Sequence, residues 1–207
     1  AFRLGWHSFV FGRANQYMPD RPFDSGGYSE TGYDCSFLDL NGFDQTMTYI
    51  LTSSSWRGPT RTDHLIKSSK PATLTLRGTK SSVCDSMVNG SVSIAWCPTN
   101  TAYVQTFSYR TNTTYGAITV KKGKVRLDKG ARFINVPKLV LDAEGAFEIA
   151  EGNGVENPLP ALKRIDLVSG ATLTVPEGVA ITAERVFLDG RALAAEEVAG
   201  AAWLSGG

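Results

Sequence analysis

The chain has 207 residues, 42% of them hydrophobic, which is enough for one substantial core or two small ones. Its 21 Lys and Arg against 20 Asp and Glu leave a net charge near +1, which excludes a global attraction to nucleic acid or an anionic membrane; any electrostatic partner must meet a local patch. Apolar runs such as Val198 to Leu204 fall far short of the roughly 18 to 20 residues that cross a bilayer, so no transmembrane segment is expected.

The first 37 residues form an aromatic-rich N-terminal region. They begin without Met or a signal-peptide pattern, and together with the closing "AAWLSGG" they make the chain read as a piece of a longer protein, with other domains as partners. Eight aromatics fall among the first 35 residues, interleaved with Asp, Asn and Arg. Aromatic rings stack on the apolar faces of sugars while short polar side chains bind hydroxyls, so Trp6, Tyr17, Tyr28 and Tyr33, with Trp56 and Trp96 further on, are candidate glycan-binding residues. The same rings would equally seal an exposed β-edge at the end of a fold. Asp20, Asp24, Glu30, Asp34, Asp39 and Asp44 could supply a carboxylate pair for glycosidic chemistry, although a chain with 20 acids contains such pairs without catalysis. No GxSxG, HExxH, P-loop or complete GxGxxG is present, and no cofactor is expected.

From residue 38 the pattern is that of strands. Period-two alternation marks "TLTL" (73–76), "SVSIAW" (91–96), "AITV" (117–120), "KVRL" (124–127), "KLVL" (138–141), "AFEI" (146–149), "RIDL" (164–167), "TLTV" (172–175) and "RVFL" (185–188), each bounded by Gly, Pro, Asn or Asp. Cys84 and Cys97 bracket a turn signal at Asn89-Gly90; they are a disulfide pair in an oxidising compartment or else free buried thiols. With Cys35 they contain no CxxC, and His7 and His64 are remote, so no metal site is expected.

Ile118, Leu139, Ile165 and Val186 start comparable strands at steps of 21, 26 and 21 residues, the longer step containing the Gly, Asn and Pro-rich segment 151–161, read as looped out. Two short strands per period of about 21 residues fit one coil of a parallel β-solenoid. Antiparallel hairpins turning at KKG, DAEG and SG are the rival reading. The run "KKGKVRLDKGAR" places six cations in twelve residues, but alternation sets Lys124 and Arg126 opposite Val125 and Leu127, as a solvated outer face requires, and no aromatic interleaves with them. Nucleic acid is therefore not an expected partner. The sequons at Asn89 and Asn112 read as turns. Residues 194–207 close the chain as a cap or the start of a linker, with helix formers between Ala192 and Leu204.

"TLTLRGT" at 73–79 followed by "NTTYGAITVKKGKVRL" at 112–127 resembles the autotransporter-associated β-strand repeat. Thr73, Leu74, Thr75, Leu76 and Gly78 match its first half; Asn112, Thr113, Tyr115, Gly116, Thr119, Val120, Gly123, Val125 and Leu127 match its second. "LDLNGFDQTM" (38–47) and "LTVPEGVAITAERVFLDGRAL" (173–193) are similar to further segments of such proteins, while 79–111 departs from the repeat and is expected to be an insertion. The resemblance implies an all-β, right-handed parallel β-solenoid over 38–193, in a secreted or surface-displayed bacterial protein, without catalytic residues to carry over. The expected function is a non-enzymatic structural or display module. The alternatives are a carbohydrate-binding or adhesive module that meets a glycan or host surface through the N-terminal aromatics, and a polysaccharide-acting β-helix enzyme.

Overall fold

The computed structural model describes residues 2–3, 8–15, 23–24, 36–51, 64–128, 130–199 and 204–205. It is nearly all β, a parallel β-solenoid of about six turns with one short helix near the C-terminus. Each turn presents three strand columns, and each column pairs with its own copy in the next turn.

The strands β1 (Phe2–Arg3), β2 (Ser8–Val10) and β3 (Phe23–Asp24) open the series. Then β4 (Ser36–Asp39), β5 (Gln45–Met47) and β6 (Ile50–Leu51) put one strand on each face. In the next turn β7 (His64–Leu76) bends across the first and second faces and β8 (Ser82–Cys84) takes the third; β9 (Met87–Trp96) and β10 (Val104–Phe107) repeat that arrangement. After β11 (Thr113–Thr114) on the first face, β12 (Ile118–Leu127) bends across the second and third, as does β13 (Lys138–Ile149). The second face continues in β14 (Arg164–Leu167) and β16 (Arg185–Leu188), and the third in β15 (Thr172–Thr174). A short β17 (Arg191–Ala192), helix α1 (Ala195–Ala199) and β18 (Leu204–Ser205), which pairs in turn on β15, complete the described chain.

The alternation fixes the inward set. Leu74, Ile94, Ile118, Leu139 and Ile165 stack at one register on the second face, and Val125, Phe147 and Leu173 on the third, all buried. Each such aliphatic contributes about 1.5–3 kcal/mol by leaving water. The periodic steps are reproduced residue for residue, with Ile118 opposite Leu139, Leu139 opposite Ile165 and Ile165 opposite Val186. These pairings are parallel, so the hairpin reading fails; among the described strands only β16 and β17 pair antiparallel. The KKG segment is a corner, with Gly123 at φ 68°, inside a single strand that bends from one face to the next.

Three expectations need correction. Residues 79–111 are not an insertion: they carry β8, the whole of β9 and β10, in register with the turns on either side. An added turn needs only another period of chain, and in this one the polar Gln105 takes an inward position on the third face. Asn89-Gly90 is not a hairpin turn but a corner inside β9, with Gly90 at φ 72°. Segment 151–161 is not looped out either, because Asn153 and Leu159 are buried and Phe133 N donates to Pro158 O at 2.9 Å, which continues the first face without a regular strand. Side-chain oxygens of Asn153 and Asn157 accept from Val155 N and Leu159 N and hold the turns.

The helix expected between Ala192 and Leu204 is five residues long. Glu197 sits at its third position and accepts from Ala194 N at 2.9 Å, a capping arrangement that starts the helix, while pairing with Arg191.

Candidate functional site

Of the aromatic candidates, Trp6, Tyr17, Tyr28, Tyr33 and Trp56 lie outside the described residues. Trp96 does not qualify as a glycan platform: it is fully buried, inward at the register of Leu76 and Val120. Its ring fills the corner between the second and third faces, where Gly78 and Gly123 of the flanking turns leave room. A Cβ on Gly78 would lie 2.2 Å from the Trp96 ring. Sequence composition alone does not distinguish a tryptophan that faces a sugar from one that replaces the missing side chains of two glycines.

Cys84 and Cys97 are free, so the disulfide pairing is not made. Cys84 points into the core from the third face, where burial pushes its thiol up to about 12, and it donates to Ser86 O. Cys97 lies just beyond the second face, at the far end of β9. A period-three polygon puts residues that bracket a corner on different faces, and the spacing that suits a hairpin does not suit a coil.

Of the candidate carboxylates, Asp39 and Asp44 have described side chains, and the fold engages both. Asp39 accepts from Asn41 N at 2.9 Å and pairs with Lys67 at 3.5 Å; Asp44 accepts from Thr73 N at 2.6 Å. Among the described residues no group of three or more His, Cys, Asp and Glu is placed to hold a metal ion. Asn112 is buried with its amide in use, so that sequon offers no free nitrogen in the folded chain.

The basic run behaves as scaffold. Val125 and Leu127 are buried, while Lys124 and Arg126 point outward and share Glu148 of the next turn; Lys122 pairs with Glu144 at 3.3 Å. A second charged group lies on the second face towards the C-terminal end, and it is not contained in any basic run. Lys138, Arg164 and Arg185 occupy one register in three consecutive turns. Asp166 pairs with Lys138 at 2.7 Å and with Arg164 at 2.6 Å, and the Arg164 guanidinium lies 4.0 Å from the Phe187 ring centre. Partial burial opposes ionisation of Asp166, but the hydrogen bonds from Arg164 and Lys138 outweigh it and hold the carboxyl below its usual range. Arg185 and Lys163 are exposed and have no ion pair among the described residues. Each of the three stacked cations immediately precedes one of the aliphatics Leu139, Ile165 and Val186, so the periodic steps already place them in a column.

A cavity of about 570 Å³ occupies the last turn, lined by Ile165, Leu173, Val175, Val186, Leu193 and Val198 among others. It is the mouth of the core column where the inward residues become only half-buried. No protein-family model, curated protein or solved structure matches the chain.

Proposed function

We propose that the chain is a non-enzymatic structural and display module of a secreted or surface-exposed bacterial protein, of the autotransporter-associated repeat type. The observation that carries this reading is the relation between the two halves of the motif. Leu74 and Leu76 of the first half stack through Ile94 and Trp96 onto Ile118 and Val120 of the second, so the motif residues are equivalent strand positions of one column. Motif residues that repeat as core and corner serve to extend a rod. Outward carboxylates that pair with cations of the preceding turn serve the same end. A rod of stacked turns holds whatever precedes it at a fixed distance from its attachment, with nearest-neighbour contacts resisting extension.

The test is expression of the full chain between an N-terminal epitope and a membrane-anchoring barrel in a bacterial host. Surface exposure of the epitope to added protease, with the solenoid portion resisting cleavage, supports display; an epitope that stays inaccessible in intact cells refutes it. Hydrolysis or elimination of a pectin-like or mucin-like polymer that is lost in Asp39→Asn or Asp44→Asn would refute the non-enzymatic part and restore the enzyme alternative.

A further inference from the structure

We propose that the column Lys138, Arg164 and Arg185 binds an acidic polysaccharide whose carboxylates lie along the solenoid axis. The three residues share one register in consecutive parallel strands, so their Cα atoms repeat at about 4.8 Å and the column spans roughly 10 Å. Like charges directly opposite one another on a sheet face are destabilising, and a fold selected for stability alone would alternate their signs, as Lys122 and Glu144 do at the corner between the second and third faces. Here one carboxylate, Asp166, serves two of the three cations. Arg164 is held between that carboxylate and the ring of Phe187 and stays about half exposed, and Arg185 is exposed with no ion pair among the described residues. Exposed Lys163 stands beside Arg164 at the corner, in a shallow groove that also contains exposed Glu184. Counting Lys138, Lys163, Arg164 and Arg185 against Asp166 and Glu184, this part of the surface carries a charge of about +2, more than the +1 of the whole chain.

The shape selects the ligand class. The cations stand in single file, with Val140 and Phe187 rather than further bases at the next outward register. A single-stranded polymer with one carboxylate per sugar can follow such a file. Duplex nucleic acid, with a phosphate every 3.4 Å per strand on two strands that wind away, is suited to a broad basic face instead. Arg185 and Arg164 offer paired N–H donors to each carboxylate, and Lys138 a point charge.

The experiment measures binding of a short oligogalacturonate to the whole chain by calorimetry at about 20 mM salt, where surface charges are least screened. Arg185→Gln is expected to weaken binding about ten-fold, the loss of one charge-assisted contact, while leaving the urea midpoint unchanged or raised. Lys121→Gln, which removes an exposed cation elsewhere on the solenoid, is expected to change binding less than two-fold. The methyl-esterified oligomer is expected not to bind. The proposal is overturned by absence of binding, by equal losses in Arg185→Gln and Lys121→Gln, or by a duplex DNA fragment binding as tightly as the oligomer.

Discussion

Asn112 links three turns, and replacing it with alanine tests whether buried side-chain amides hold this solenoid where strand pairing lapses. Its backbone faces one neighbour: Asn112 N donates to Arg132 O at 2.8 Å and Asn112 O accepts from Ile134 N at 3.0 Å. Its side-chain Oδ1 reaches the other, accepting from Val88 N at 2.9 Å, while Nδ2 donates to Tyr109 O of its own turn at 3.2 Å and to Arg132 O at 3.3 Å. In Asn112→Ala, Arg132 O keeps its backbone donor, but Val88 N, on a fully buried residue, loses the acceptor it has here. An orphaned buried N–H costs about 1–3 kcal/mol, and the lost bond to Tyr109 O with the small void adds about 1 more. The expected destabilisation is therefore about 3 kcal/mol, which at an m-value near 2 kcal/mol/M lowers the urea midpoint by roughly 1–2 M. Far-UV circular dichroism during urea titration measures it. A midpoint shift below about 0.3 M in Asn112→Ala would show that the amide bonds contribute nothing net. A matching result for Asn112→Leu, which keeps the volume without the amide, would place the loss in hydrogen bonding, whereas a near-native midpoint in that variant would place it in volume.

Three further outcomes are expected. Gly116→Ala would set a Cβ 2.0 Å from Val92 O on the adjacent turn, a backbone clash that only strand separation relieves; soluble yield and midpoint should both drop sharply, and a normal midpoint would refute the close approach. Cys84, in a chain with Cys35 and Cys97 replaced by serine, should resist a thiol reagent at pH 8 until urea unfolds the protein. Because burial raises its folded pKa above the ordinary thiol value of 9.0, its contribution is fully present below about pH 9 and lost as pH rises towards 12; immediate labelling of native protein would contradict its burial. Asp166, whose carboxyl is held low, contributes stability above its unfolded pKa that fades as pH falls through the folded one. Asp166→Asn should therefore flatten the acid side of the stability profile, by no more than about 1 kcal/mol given solvent screening, and an unchanged acid limb would remove the pairing from the account.

Much of the C-terminal half was legible without coordinates. The aliphatics at Ile118, Leu139, Ile165 and Val186 alternate with polar neighbours, and alternation is a direct consequence of strand geometry, so face and period could both be read. The outward placement of Lys124 and Arg126 followed from the same rule. The turn within 79–111 was legible only in "SVSIAW" (91–96), because on the third face Gln105 points inward and breaks the pattern. Gln105 shows why: its Nε2 donates to Ile50 O at 3.1 Å, its Oε1 accepts from Ser82 Oγ at 2.8 Å, and such an amide looks like a surface residue until its partners in other turns are in place.

By itself, the amino-acid order determined an all-β chain whose strands recur at a period near 21 residues, since local alternation records which side of a strand meets the core. It does not record which strand lies beside which, and that was settled only by stacking. Stacking buried Trp96 between Gly78 and Gly123, separated Cys84 from Cys97, and lined Lys138, Arg164 and Arg185 into a column. The physical reason is that hydrophobic burial is set residue by residue, whereas void filling, amide pairing and charge repulsion depend on neighbours some twenty residues away that become adjacent only when turns close on one another.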